Sequence, residues 1–586
     1  MILFQDFNSI QENQVGFSVQ KFVGATAVWI NQHELAALPG TLDQEPCFID
    51  RFSYAVRDVD CFQSLEFDPT KNKDLLAERY GGRGIGDNGG GARCGNDGIF
   101  QLKGVGPNVL VGSGKNVMHS YGGLTLVSAV YEALVSVVFG GFLPIGVAKV
   151  YGVISTAKEC AFSHPICPIN GPSKVAGAIL VREACDRPAH ILRAGGFVYD
   201  EKSGKKLDSD VERIKNIYKK IGLANQGDFI AMLGKFLSGC ANQLAFSQVC
   251  RISHGNLSPS NLCMDGRWLD LSRLRILSAG ENVAEGGGAY FDNKMDPIKT
   301  IEEIAYTYIK YNKIPLNHVP LVDYYLEQFE AYYAFHLPFF FVLGSGDVDL
   351  EYMSSIGKPL LELCNAVFRE NPEPTHGKEA SVQESLERNE DRSVELLRFL
   401  FSGYLESQSN FETLAQKCES NCESIRLTFI DILRAKYMSL NADGLLSFKS
   451  VSLSAAVVAF RRSYLSCVFG YQPLLKAVSQ ACEAGSVDAL IDQYKSLFSW
   501  VFSKNDLENP VIFMSDSAVL SFHPITEKVV LEQNSIKLEF QTFSECSEQL
   551  LQREDLFYSN DIDFAPYAQQ ALSFLHTVAF ELEIAR

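Results

Sequence analysis

Thirteen of the chain's 45 glycines fall within the 34 residues from Gly81 to Gly114. A helix or strand interior does not tolerate that density, because each glycine adds backbone freedom that folding must remove and brings no side chain to a core. Such a stretch is a loop whose backbone takes conformations closed to other residues, or comes close to a ligand. Regular elements must flank it. Beyond it, Val127, Tyr131, Leu134, Val138 and Phe142 recur at helical spacing within 124–142, and 147–154 and 178–183 read as strands. Ahead of it, residues 1–75 alternate short apolar runs with polar turns and predict an N-terminal α+β lead-in.

Further on, 205–220, 227–249 and 298–311 carry helical patterns, and 254–277 reads as loop and short strands around the hairpin signal Asp265-Gly266. Residues 369–393 are charged, contain proline and hold few apolar side chains, as a linker would. The expected organisation is thus a core over 76–368, this linker, and a mostly helical region over 394–586. That last region ends on a hairpin around Gln533-Asn534-Ser535 and a helix from Pro566. It is expected to select an acceptor and to be removable without loss of nucleotide binding.

Composition narrows the function. Lys and Arg total 52 against 70 Asp and Glu, a net charge of −18, which disfavours nucleic acid as a partner. The 15 cysteines follow no framework spacing, and Met1 to Asn13 lacks a basic segment followed by an apolar one, so a reduced, cytoplasmic protein is expected. The most apolar run, 133–150, is broken by Gly140, Gly141, Pro144 and Gly146, so no membrane association is expected. Cys160, His164, Cys167, Cys185 and His190 cluster in sequence without a standard zinc spacing, and Cys418 and Cys422 sit four apart with no nearby histidine. Neither set is assigned a metal.

The chemistry concentrates in His254-Gly-Asn256-Leu-Ser-Pro-Ser260-Asn261, followed nine positions later by Asp270. A carboxylate and a neutral amide oxygen are what a phosphate-transferring site uses to hold Mg²⁺, and Asn261 and Asp270 fit those roles. Protein kinases place an Asp, which accepts the substrate hydroxyl proton, where this chain has Asn256. Upstream, Gln101-Leu102-Lys103-Gly104-Val105-Gly106 is a short strand ending in a lysine. Glu132 on the next helix completes the logic of a Lys–Glu pair. Arg83, Arg93, Arg182, Arg187 and Arg193 offer guanidinium forks for phosphate in an acidic chain. Gly112-Ser-Gly-Lys115 does not complete a phosphate-loop motif.

In their order, the glycine loop, Leu-Lys-Gly-Val-Gly, the Glu-Ala helix, the Arg-bearing strand, His-Gly-x₅-Asn, Asp270 and Tyr290-Phe-Asp-Asn293 resemble the SelO family of protein adenylyltransferases, over 76–312. The resemblance implies an α+β, bilobal protein-kinase-like fold that binds ATP in a flipped orientation and moves AMP to a hydroxyl on a protein, peptide or small molecule. It implies that Lys103 and Glu132 form the ion pair, that Asn261 and Asp270 hold Mg²⁺ or Mn²⁺, and that Arg93, Arg182, Arg193, Gly104 and Gly106 bind the nucleotide. The chain departs from the family at Ser260, where an Asp is usual, at Asp270-Leu271-Ser272 in place of a triplet ending in Gly, and at its last residues, which lack the family's Cys or selenocysteine motif. The same loop is also similar to the HGDLxPxN loop of aminoglycoside and choline kinases, which leaves a phosphotransferase open. A nucleotide-binding pseudoenzyme scaffold is the third reading.

Overall fold

The computed structural model describes residues 10–38, 40–57, 59–112, 120–163, 173–198, 207, 210–222, 226–277, 290–341, 382–383, 392–402, 422–503, 507–515, 517–534, 536–550, 553, 556–559 and 562–584. Its centre is an antiparallel sheet of eight strands: β1 (Gln14–Phe22), β2 (Thr26–Ile30), β3 (Tyr54–Ala55), β4 (Phe67–Glu78), β5 (Cys94–Asn96), β6 (Phe100–Lys103), β7 (Val150–Phe162) and β8 (Lys174–Glu183). They lie in the order β2-β7-β8-β6-β5-β4-β1-β3. The N-terminal residues are therefore no separate lead-in. β1 and β3 form one edge of the sheet that carries Lys103, and β2 forms the other.

Alternation explains why β6 sits in the middle. Phe100 and Leu102 point to one face, where they meet Phe48 and Phe52 of a short helix in one apolar cluster. Gln101 and Lys103 point to the opposite face and are equally buried. Register then selects their neighbours, because Gln101 stands opposite Arg182 and Lys103 opposite Leu180 on β8.

Among the described residues, the helices of eight or more residues are α1 (Glu45–Phe52), α2 (Leu126–Gly140), α3 (Asp210–Gly222), α4 (Gln226–Val249), α5 (Met295–Asn312), α6 (Val319–Phe341), α7 (Arg392–Ser402), α8 (Cys422–Leu440), α9 (Phe448–Leu465), α10 (Tyr471–Ala484), α11 (Val487–Val501), α12 (Phe543–Leu550) and α13 (Ala565–Ile584). α2 begins where the Thr125 side chain accepts from the Ser128 amide at 3.1 Å, and it stops at Gly140-Gly141. The strand expected at Val147 begins three residues later at Val150, and the helix expected from Lys205 is described from Asp210. The expected linker lies almost entirely outside the described residues.

The C-terminal half is not wholly helical. Val511–Met514, Ala518–His523, Lys528–Gln533 and Ile536–Phe540 form a four-stranded antiparallel sheet, of which only the last two strands were legible as a hairpin. This half packs directly on the first. Its helices share one apolar core with α2: Phe498 of α11 stacks edge-on to Phe139 at 4.9 Å and to Phe142 at 5.0 Å, and Tyr471 of α10 meets Tyr131 at 5.5 Å. Two helical segments among the described residues, Gln226–Val249 and Phe448–Phe469, are long and apolar enough to cross a membrane, and the protein interior buries 61% and 100% of their apolar windows.

Because α2 lies between sheet and C-terminal helices, Phe498→Ala should cost about 3–5 kcal/mol and lower the midpoint of a single urea transition. Two transitions by fluorescence and circular dichroism, only one of them shifted, would show that the halves unfold independently.

Candidate active site

Lys103 is held at the end of β6 with 1% of its side chain exposed, and its ammonium donates to Glu132 Oε2 on α2 at 2.7 Å. It also donates to Asp270 Oδ1. The other carboxylate oxygen of Glu132 accepts from Arg182 Nη1 at 2.6 Å, and Arg182 Nε donates to Gln101 Oε1 at 2.8 Å. Two cations and two carboxylates thus close a neutral cluster in the interior. Burial of this kind is tolerated only when each charge is paired.

Asp270 reaches this cluster through a hairpin. The Cys263 amide donates to the Arg267 carbonyl at 2.9 Å and the Leu269 amide to the Asn261 carbonyl at 3.1 Å, so Asn261 and Asp270 emerge side by side in the cleft. The turn needs its glycine: Gly266 has φ +92°, and a Cβ there would stand 2.6 Å from the backbone of Gly239 on α4. Asp270 itself has φ +61°, a left-handed conformation that Asp accepts better than most side chains. Loss of solvent alone would raise its carboxyl pKa, but Lys103, Arg182 and Arg93 reverse this and hold it well below the ordinary carboxylate range.

The loop before it is anchored by His254. Its Nε2 donates to the Leu269 carbonyl at 2.9 Å while Nδ1 accepts from the Asn256 amide at 3.3 Å, which defines a neutral imidazole; burial lowers its pKa despite the Leu269 bond and nearby Asp270. Asn261 Nδ2 donates to the Asn256 carbonyl at 3.0 Å, and the hydroxyls of Ser258 and Ser260 lie 2.8 Å apart. Asn256, Ser258, Ser260, Asn261, Lys103 and Asp270 line one cleft of about 170 Å³, with Gly84, Gly90 and Gly91 of the glycine loop across from them. Gly84 comes so near the loop that a Cβ would stand 3.2 Å from that of Ser258.

The sequence-predicted residues separate here. Lys103, Glu132, Arg182, Asn261 and Asp270 converge, and Arg93 lines the same cleft with no ion-pair partner for its side chain among the described residues. Gly104 and Gly106 turn away: their Cβ positions face the Ala178 carbonyl and the Phe62 ring, so their glycine character serves the sheet interior. Arg193 is exposed and lines a second depression, and Arg83 pairs with Glu303 there.

Arg187 does more than its sequence context disclosed. Its guanidinium donates to Gln101 Oε1 at 3.0 Å, the Ser260 carbonyl at 3.1 Å and the Tyr80 hydroxyl at 3.2 Å, tying β6, the Asn261 loop and the glycine loop together. Beside it, buried Glu78 accepts from Asn96 at 2.6 Å and Gln101 at 2.8 Å. Burial raises the Glu78 pKa, but His190, Arg187 and Asn96 bring it down to about 2. Gln101, a polar residue on the Lys103 face of an apolar strand, was the available signal for this network.

Asp270 and Asn261 present hard oxygen donors, and Mg²⁺ takes a few protein oxygens together with phosphate and water. Among the described residues no group of three or more His, Cys, Asp or Glu side chains could hold a metal by itself. Cys160 instead bonds Thr156, and His190 accepts from the Arg187 amide at 3.1 Å. His164, Cys167 and Cys418 lie outside the described residues. Compared with known protein families and with curated proteins, the sequence matches none.

Glu132→Gln removes a carboxylate that two buried cations share, and it should lower the unfolding free energy by about 3–5 kcal/mol in urea titrations. A loss below 1 kcal/mol would mean that the cluster reorganises around Asp270. Glu78 titrates lower folded than unfolded, so its contribution of about 3 kcal/mol is present above pH ~4.5 and is lost as the pH falls toward 2. Glu78→Gln should flatten stability against pH in that window, and an unchanged acid limb would assign it to other carboxylates.

Proposed function

We propose that this chain is an ATP- and Mg²⁺-dependent transferase of bilobal, protein-kinase-like architecture, similar to the SelO adenylyltransferases, that moves AMP to a hydroxyl acceptor. The observation that carries the reading is Lys103 bonded at once to Glu132 and Asp270, with Asn261 in the same cleft and a glycine loop facing them. A glycine loop, a strand lysine, a helix glutamate and a late Asn and Asp are the parts that phosphoryl-transfer enzymes of the kinase type assemble, in this order.

In this reading Arg93 and Lys103 hold phosphate oxygens. Glu132 and Arg182 fix the lysine's position, and Asn261 and Asp270 would hold Mg²⁺ or Mn²⁺. The ion, when bound, neutralises charge on the phosphates. The acceptor oxygen bonds to the α-phosphorus as the bond to pyrophosphate breaks, and the hydroxyl proton leaves to water. Asn256 takes no proton, which suits chemistry driven by positioning and charge neutralisation. A protein of this kind works in the cytoplasm, where ATP and reduced thiols coexist.

Incubation with Mg²⁺ and ATP should release pyrophosphate or add about one AMP unit to the protein or acceptor mass, and Asp270→Ala should abolish this while the fold persists. ADP as product would move the assignment to a phosphotransferase. Bound but unaltered ATP, with every acceptor class tried, would favour a scaffold. Asn256→Asp restores the kinase carboxylate, and a gain of γ-phosphoryl transfer would show that the cleft retains kinase geometry.

A further inference from the structure

The glycine loop has a second side. Behind it lies an open depression of about 420 Å³, walled by Gly82 to Gly86, by Leu192 to Gly196 and by the Glu303, Tyr306 and Thr307 face of α5. Ile85 lines both this depression and the Lys103 cleft. The floor also touches the Asn256–Asn261 loop, since a Cβ on Gly82 would stand 3.4 Å from Pro259. A molecule seated here is one loop's thickness from the phosphates that the first cleft is built to hold.

Its charges are specific. Glu303 is neutralised by Arg83, which also donates to the Asp296 carbonyl at 3.2 Å and to Thr300 at 3.4 Å. Asp296 lies 3.8 Å from Lys299. Arg193 remains, exposed and without an ion-pair partner among the described residues. Lys310 adds a second cation, its ammonium 5.6 Å from the ring of Tyr306, which is itself 66% exposed. Arg193 and Tyr306 line the depression, Lys310 stands just outside it beside the Tyr306 ring, and the Asp87 carboxylate lies 3.9 Å from a Cβ placed on Gly196 in its wall. On a chain of net charge −18 this is a local cationic exception that an acidic ligand would recognise.

We propose that this depression binds the acceptor, and that the acceptor is an acidic peptide segment whose carboxylates meet Arg193 and Lys310 and whose apolar or aromatic side chain packs on Tyr306. The inference rests on the transferase reading for its chemistry, and it reassigns Arg193 from phosphate to acceptor. The test is anisotropy of a fluorescein-labelled Glu–Tyr copolymer, with a Lys–Tyr copolymer as control, against the full chain with a non-hydrolysable ATP analogue present. Arg193→Glu and Tyr306→Ala should each weaken the Glu–Tyr copolymer about tenfold and leave the ATP analogue within about twofold. Equal binding by wild type and both variants, or no binding by wild type, overturns the proposal. So does a fall in nucleotide affinity on Arg193→Glu, which would return that residue to the phosphates. Failure of the wild-type chain to bind the analogue at all would instead sink the transferase reading, and the two failures are read in separate channels.

Discussion

A lysine that is 1% exposed has to be matched by charge, and the rest of the molecule is arranged around that requirement. Lys103 is met by Glu132 from a helix and by Asp270 from a hairpin, and Arg182 on the next strand balances the second carboxylate. Each partner arrives on a different element. Sheet register, the rotation of α2 and the Gly266 turn must all be right before the cluster is neutral. A shift of β8 by one residue would carry Arg182 to the apolar face and leave Glu132 with an uncompensated charge.

The same coupling reaches the C-terminal helices. Glu132 follows Tyr131, which donates to the Leu274 carbonyl at 2.8 Å just beyond Asp270 and packs on Tyr471. Phe139 and Phe142 continue that contact toward Phe498. The orientation of the helix glutamate is therefore set from behind by residues some 340 positions later in the chain. A region that looks appended along the sequence is, in packing terms, the support behind α2.

What could be read from the sequence follows from this geometry. Lys103 stood out as a charge ending a short apolar strand, Glu132 as its pairing partner on the next helix, and Asn261 and Asp270 because one tight turn brings them together. Glu78 did not stand out, and Arg187 was read only as one of several phosphate forks, since no motif marks their bonds to Asn96, Gln101, Tyr80 and Ser260, which only the folded sheet aligns. Arg193 was expected at the phosphates from the resemblance; in the fold the short helical turn Pro188–Ile191 precedes it, and it is exposed on the wall of the second depression. The strands at 511–514 and 518–523 were absorbed into a helical region because short apolar runs carry no periodicity that separates strand from helix.

Asn256 belongs with the cations of the cleft rather than apart from them. Lys103, Arg93, Arg182 and Arg187 border a cleft in which Glu132 is shared by two of them and Asp270 is bonded to Lys103. An aspartate at 256 would add a negative charge to a cleft that already holds the Asp270 carboxylate, and in the proposed reading a triphosphate would bring more. A neutral amide there leaves the loop's hydrogen bond intact, as the Asn261 side-chain amide donates to the backbone carbonyl of residue 256, not to its side chain. The loop thereby keeps its shape without a carboxylate at 256. In the proposed reading such a loop still holds phosphates and lacks a carboxylate beside the acceptor hydroxyl, and acceptor choice would then fall to contacts outside the cleft, such as the depression proposed behind the glycine loop.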